Sequence, residues 1–403
     1  MKTVVVIGAG ASGMMAALSA AENEDMRVLL LERQQRVGRK LLATGNGRCN
    51  LTNMNATAAN YHGEQSGFAD FALERFTPEH TLAFFAALGL VTVTEYGGRV
   101  YPLSDSANSV VDVLRFALER SGVELRCGVT VRSLMRSGGG YAVCCDEGEL
   151  YADYVIVACG GAAGEKLGGV MDGYELLKPL GHKRTKLYPA LVQLITDTDY
   201  PRALKGVRAD GALSLSAGGE LLARGEGEIQ FTEKGLSGPA AFDISRAAAL
   251  CGEGGRISCD FMRAYSSEAV WDMLKMRRER LSGLEAAELF TGMLHNRLGR
   301  MLVKYAGINA ATAISQLTDA QLEKAAEAVK AFELKLCGTE GFDKAQVTAG
   351  GIKTGGVDPT TMQSWFMPGL FICGELLDVD GDCGGYNLQW AWASGHLAGR
   401  LGR

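Results

Sequence analysis

Gly8, Gly10 and Gly13 stand at the spacing G-x-G-x-x-G directly after the apolar run Val4-Val5-Val6-Ile7. Nineteen residues past the last of them, Glu32 closes a second apolar run, Val28 to Leu31. This combination suits phosphate and ribose recognition. The first glycine permits a tight turn, the second lets backbone approach a pyrophosphate, and the third lets a helix pack closely on the strand. Ala11 and Ser12 complete the loop, and Met14 to Ala21 reads as the helix whose exposed amides and dipole favour a phosphate dianion. Glu32 is placed to accept hydrogen bonds from ribose hydroxyls. The bland alternative is a glycine-rich turn without a ligand. Strand, glycines, helix, strand and acid all fall in order, which argues for a bound dinucleotide.

A second constellation lies near the C-terminus. Met367 to Glu375 reads as a turn and a short buried strand ending in Gly374-Glu375. Asp378, Asp380 and Asp382 follow, then Gly384-Gly385-Tyr386-Asn387 and the helical stretch Leu388 to Leu401. A Gly-Gly turn before a helix again presents amides at a positive dipole end. The segment is open to three readings: a structural turn, a cofactor wall, or a cation loop that lacks the 12-residue calcium pattern. Gly160 ends the apolar strand Asp153 to Gly161, where small residues admit a bound dinucleotide or simply finish a buried strand.

Cys49 is the tempting reactive side chain, because a neighbouring Arg48 favours a thiolate. The residue five positions on is Met54, so no disulfide-reductase pair exists, and a packing or cofactor-contact role competes with a redox one. Arg33, Arg36, Arg39, Lys40 and Arg48 form either an anion or RNA patch or a solvated rim with one or two charges serving cofactor phosphates. No carboxylate pair or Cys-His arrangement declares an acid or base, so no catalytic residue is assigned. Five scattered histidines without ligand spacing give no support for a metal.

The elements that must position these groups follow from periodicity. Thr77 to Leu88 and Ser109 to Arg120 read as helices, and Val123 to Arg126 as another parallel strand. Val129 to Leu134 and Tyr141 to Cys145 alternate around Gly138-Gly139-Gly140, which predicts a hairpin. After Pro189 the chain becomes strand- and turn-rich as far as Phe261. From Ser267 to Cys337 it becomes helix-like, including Trp271 to Leu281, Leu284 to Leu298 and Gln321 to Leu336. Glycine-rich strand patterns return from Gln346. A sheet that stops, admits an insert and resumes explains this order. It predicts a discontinuous domain over 1–189 and 345–403, a β-rich insert over 190–262 and a helical insert over 263–344.

Bulk properties set limits. With 403 residues there is room for two or three cores, and a net charge of −5 gives no global reason to expect nucleic acid. Ten cysteines without a CxxC pair match reduced thiols, so a cytoplasmic location is expected. The apolar start after Lys2 is broken by Gly8 and Gly10, unlike a secretory signal, and no apolar stretch approaches the ~20 residues of a membrane span.

The run Gly38 to Asn53, containing Lys40-Leu41-Leu42-Ala43-Thr44-Gly45-Asn46-Gly47-Arg48-Cys49-Asn50, resembles the hallmark of the HI0933-like flavoproteins, a family of BaiN-type or aminoacetone-oxidase-type FAD enzymes. The likeness recurs at Phe231 to Pro239, at Val347-Thr348-Ala349-Gly350-Gly351 and from Gly374 to Asn387, so it covers the whole length. It implies an α/β fold: a two-dinucleotide-binding, Rossmann-like FAD domain carrying an inserted β-barrel-like and helical domain. It also implies that Gly8, Gly10, Ser12 and Gly13 meet the FAD pyrophosphate, Glu32 the adenosine ribose and the Val131 backbone the adenine. Thr44, Gly45, Asn46, Arg48 and Cys49 would lie beside the flavin. Gly374, Glu375, Asp380, Gly385, Tyr386 and Asn387 would close over ribityl and ring. Ala11, Arg33, Lys40, Asn50 and Gly160 complete the expected cofactor-binding set. Glu233 departs from the family, in which histidine is common there.

The resemblance implies an FAD-dependent oxidoreductase that passes a hydride between flavin and a small organic substrate. The expected direction is reduction of an activated C=C bond fed by NADH or NADPH. No second GxGxxG supplies a nicotinamide domain, so the reductant would bind transiently over the flavin. An amine-type oxidase using oxygen is the alternative, and a flavin-dependent RNA-modifying or RNA-binding protein is another of a different class. The overall acidity argues against RNA, and nucleic acid is not expected as a partner.

Overall fold

Val4 to Ile7 and Val28 to Leu31 have no polar face to offer water, and both runs are buried in the middle of a parallel sheet. In the computed structural model, which describes residues 1–403, five strands lie in the order Leu370–Ile372, Tyr154–Val157, Lys2–Ile7, Met26–Glu32 and Glu124–Cys127. Every neighbouring pair is parallel. Strand order turns back at the central strand, whose successors in sequence lie on one side and whose later neighbours lie on the other. Ligands of open α/β sheets bind outside the carboxyl ends of strands at such a switch point. The loops Gly8–Gly13 and Ala158–Gly161 leave the sheet there.

The chain divides into two compact units, Met1–Tyr188 with Gln346–Arg403, and Pro189–Ala345. In the first, the helix Ala11–Ala21 packs on the C-terminal helix Tyr386–Gly399. An added Cβ at Gly395 or Gly399 would collide with the carbonyl of Ser12 or Ala16, so the two helix backbones are in direct contact. The predicted hairpin forms as Val131–Ser137 and Gly140–Cys145, and an unforeseen third strand, Gly148–Ala152, extends it into a meander.

The second unit is built on a closed barrel. Its strands run in the order Leu194–Thr196, Gly235–Ser237, Glu220–Phe231, Arg208–Ala217, Arg256–Asp260 and Phe332–Thr339. Two stretches expected to be helical differ here. Gln321 to Leu336 is helix only to Lys330; beyond it Phe332, Leu334 and Leu336 alternate buried and exposed with their neighbours, the period of a strand, and close the barrel. Leu284 to Leu298 is mostly turn, with helix beginning at Asn296. There the amides of Ala286 and Ala287 donate across to Thr312 and Ala310 carbonyls at 2.7 and 3.0 Å, which replaces helical pairing. A helix also appears within the strand-rich half, Pro239–Cys251, with proline at its first turn.

Candidate active site

Each glycine of the opening has a different reason to be there. Gly8 has φ +102, and a side chain on it would meet Ala158 of the next strand. A Cβ on Gly13 would run into the Gly8 carbonyl, which is the close helix–strand approach predicted for the third glycine. Gly10 is the exception: a Cβ there meets no atom within 4 Å. Gly160, φ +74, also faces open space. Both glycines therefore keep side chains out of a space that the protein itself does not fill.

Glu32 is fixed by its own backbone surroundings. Its Oε2 accepts from the Ala9 amide at 2.8 Å and its Oε1 from the Gln34 amide at 2.7 Å. The Glu32 carbonyl accepts from Val129, two residues ahead of Val131 at the start of the meander, at 2.9 Å. Arg33 is paired with Asp172 at 3.3 Å. Lys40 and Glu375, 335 residues apart in sequence, meet at 2.6 Å, and the second carboxylate oxygen of Glu375 accepts from the Thr348 amide at 2.9 Å. The Thr348 hydroxyl accepts from Ala163 just beyond Gly160 at 2.9 Å, so Thr348 ties the loop after Gly160 to Glu375.

The loop Thr44 to Asn50 is held in an unusual conformation. Gly45, Asn46, Gly47 and Cys49 all have positive φ, between 57° and 88°. For the two non-glycine residues this conformation costs on the order of 1–2 kcal/mol each. The cost is offset by a set of anchors. Arg48 is paired with Glu95 at 2.5 Å and with Asp105, and its guanidinium stacks 4.0 Å from the Tyr101 ring centroid. The Cys49 amide donates to the Thr44 carbonyl at 3.0 Å. Arg48 is thus spent on two carboxylates, not on the Cys49 sulfur. Cys49 itself is fully buried, and burial pushes its thiol up to about 12, against a smaller lowering by Thr44. The activation of Cys49 by Arg48 considered from sequence does not occur.

Gly374 brings the C-terminal constellation against the opening, and Gly385 brings it against Thr52. A Cβ on Gly374 (φ +73) would collide with Ser12, and its amide donates to Ser394 Oγ at 3.0 Å while its carbonyl accepts from Trp390 Nε1 at 3.1 Å. A Cβ on Gly385 (φ +101) would collide with the Thr52 carbonyl. Asn387 braces the preceding turn: its side chain exchanges two hydrogen bonds with Gly381, at 2.9 and 2.7 Å. Asp380 pairs with His62 in a two-stranded ribbon and is buried. On the same ribbon His62 Nε2 lies 2.7 Å from Asp382 Oδ1, and the Tyr61 hydroxyl donates to the Tyr386 carbonyl at 3.1 Å. Burial raises the Tyr61 hydroxyl far above its ordinary value.

Thr348, Gln389, Ser394 and the Tyr61-His62 ribbon were not assigned from sequence. Gln389 and Ser394 had a usable signal, being polar residues flanking the apolar run Trp390-Ala391-Trp392-Ala393. The partners of Arg48 had none, since only the fold brings them near. Glu233, the departure from the family, is exposed and paired with Lys205 at 2.9 Å, which holds its carboxyl below the usual range. None of the ten cysteines forms a disulfide, and no three His, Cys, Asp or Glu side chains form a group that could hold a metal ion.

These features fit a dinucleotide such as FAD on three counts. Gly10 and Gly160 open onto unfilled space. The helices Ala11–Ala21 and Tyr386–Gly399 begin at Gly10 and Gly385 without a side-chain cap, leaving the positive ends of both dipoles for an anionic group. Asn50 Oδ1, beside Gly385, is buried without a hydrogen-bond partner.

Fold and site together define a dinucleotide-binding protein of the Rossmann class. The family described as HI0933-like protein Rossmann domain matches residues 2–401. The 3-dehydro-bile acid delta(4,6)-reductase of Clostridium scindens is 41% identical over 404 residues, covering 99% of this chain and 98% of that protein. The ribosomal RNA dihydrouridine synthase of Escherichia coli K12 is 28% identical over 396 residues, covering 97% and 95%. A solved structure of 3-ketosteroid delta1-dehydrogenase from Sterolibacterium denitrificans, in complex with 1,4-androstadiene-3,17-dione, matches with a TM-score of 0.50 at 13% identity, covering 99% of each chain, a likeness of fold alone. The chain belongs to the HI0933-like family and is an FAD-dependent oxidoreductase. No helix in it is long and apolar enough to cross a membrane.

Proposed function

We propose that this chain reduces an activated C=C bond in a small organic substrate of the steroid-acid enone class, using NADH or NADPH as electron donor. The observation that carries the reading is the 41% identity to the C. scindens bile acid reductase along essentially both whole chains. The same residues that form the site in this fold lie within that matched length. Bound FAD would supply a two-electron carrier between donor and substrate.

The protein's part is binding, orientation and control of charge. Gly10 and Gly160 would admit the pyrophosphate, with the first-turn amides from Ala11 to Gly13 facing it, and Glu32 would meet the adenosine ribose. Lys40 and Glu375 would sit at the polyol. The amides at the start of Tyr386–Gly399 would favour negative charge on the ring's pyrimidine edge.

The 28% identical E. coli protein gives specific support to a second reading, a flavin-dependent RNA-modifying enzyme. One experiment separates them. The purified protein is scanned for flavin absorbance, titrated anaerobically with NADH and then NADPH, and offered either a conjugated 3-oxo bile acid or ribosomal RNA as oxidant. Bleaching by a nicotinamide and reoxidation by the enone support the proposal. Reoxidation by RNA alone would replace it with the second reading, and reoxidation by oxygen alone with an oxidase.

A further inference from the structure

We propose that Gln389 is the positioning residue that sets the spacing between the two walls of the flavin-ring site, and so governs cofactor affinity and potential without touching the cofactor. The proposal rests on the FAD reading above. Gln389 is fully buried in the C-terminal helix, one turn after Gly385. Its Oε1 accepts from the hydroxyls of Thr52 at 2.6 Å and Thr81 at 2.8 Å, and its Nε2 donates to the Phe76 carbonyl at 2.6 Å. The amide has a single orientation that serves all three, because the Phe76 carbonyl can only accept.

Three segments distant in sequence therefore converge on one side chain: the end of the Thr44–Asn53 loop, the turn and helix at 76–81, and the C-terminal helix. A second buried bond, Trp392 Nε1 to the Leu51 carbonyl at 2.9 Å, holds the same loop one residue earlier. The carbonyl of Thr52 lies hard against Gly385, the residue that begins the helix. Thr52 is thus gripped by its side chain at Gln389 and by its backbone at Gly385. Upstream of this grip are the positive-φ residues Gly45, Asn46, Gly47 and Cys49, whose conformation needs external restraint. Downstream are the helix amides assigned to the ring. Replacing Gln389 by an apolar residue would leave two hydroxyls and a carbonyl buried without partners, at about 1–3 kcal/mol for each. The loop can relieve that only by moving away from the helix.

The test uses the full-length protein with Gln389→Leu and Gln389→Glu. Three quantities are read: the FAD dissociation constant, the midpoint potential of the bound flavin, and hydrogen exchange of the Leu51–Asn53 amides in the FAD-free protein. Gln389→Leu should weaken FAD binding at least ~10-fold, shift the potential and speed exchange at Leu51–Asn53. Gln389→Glu remakes all three bonds only when its carboxyl is protonated, which burial favours. It should therefore match the parent at pH 6 and lose FAD as pH rises towards 8. Should Gln389→Leu fail to fold, the Gln389→Glu pH profile decides alone. A parent that binds FAD while Gln389→Leu keeps its affinity and potential, or while Gln389→Glu shows the parent's pH profile, overturns the proposal. A parent that takes up no FAD overturns the cofactor reading itself.

Discussion

Gly10 and Gly13 are three residues apart in one motif, yet their environments demand opposite consequences of substitution. Gly10 has open space where its Cβ would be, so Gly10→Val should leave the FAD-free protein with a melting temperature close to the parent's. Its isopropyl group would occupy the pyrophosphate approach, and FAD affinity should fall by ~100-fold or more, about 2.7 kcal/mol. Gly13→Ala drives a methyl into the Gly8 carbonyl. It should destabilise the FAD-free protein itself by roughly 1–3 kcal/mol, the range for overpacking. Thermal melts of both FAD-free variants with FAD titrations check the contrast, and a Gly10→Val protein with full flavin content would refute the placement of the pyrophosphate. Cys49 offers a second prediction. A thiol raised to about 12 by burial is almost entirely protonated at neutral pH, so Cys49→Ala should keep turnover within about threefold. Iodoacetamide at pH 8 should label the exposed Cys337 of the native protein and spare Cys49, as read by peptide mass.

At the level of elements, the contact that matters most is between the first and last helices of the FAD unit. Gly395 and Gly399 let the C-terminal helix lie against the backbone of Ala11–Ala21, which fixes the first-turn amides relative to Gly374 and Gly385. Gly395→Ala would push on the Ser12 carbonyl and tilt the pyrophosphate loop. The expected result is a loss of 1–3 kcal/mol in stability together with weaker FAD binding, read by urea unfolding and by flavin fluorescence. This contact was not legible in the sequence, because a glycine in a helical run does not reveal what lies beneath it. The parallel strands were legible, since an apolar β-branched run between glycine-rich turns has few other uses. The tight turn at Gly8 and the close helix–strand approach at Gly13 were legible for the same reason: both are local. The stretch Gln321 to Leu336 misled because its helical and strand periods adjoin without a proline or glycine to separate them. Arg48 misled more instructively. Its sequence neighbour is Cys49, but its partners are Glu95, Asp105 and Tyr101, supplied by a hairpin some fifty residues away.

Over the whole molecule, one buried and one half-buried histidine, His182 and His396, give stability a defined pH window. His182 and His396 are both lowered to about 4 chiefly by burial, with Arg400 and His80 adding to the effect at His396. Their folded values lie below the unfolded value near 6.5, so folding favours the neutral ring. The stability they protect is complete above pH 6.5 and is lost as pH falls towards 4, where the unfolded chain binds protons that the folded one refuses. Urea midpoints should therefore decline between pH 6.5 and 4, and His396→Gln should flatten that decline. The unit Pro189–Ala345 supports a prediction of its own. Its barrel is closed, so no sheet edge is left for other parts of the chain to cover. Its first and last strands are neighbours: Leu194 pairs with Thr339, and the Glu340 amide donates to the Gln193 carbonyl at 3.0 Å. The two ends of the insert thus lie side by side, the arrangement in which an inserted domain can fold without its host. It also has a separate apolar core, from Leu194 through Phe231 and Phe290 to Leu336. Residues 189–345 expressed alone should unfold cooperatively in urea, show mixed helix and strand by circular dichroism, and bind no FAD. An isolated segment without a cooperative transition would mean that the barrel takes its stability from the FAD unit, and that the two are one folding domain.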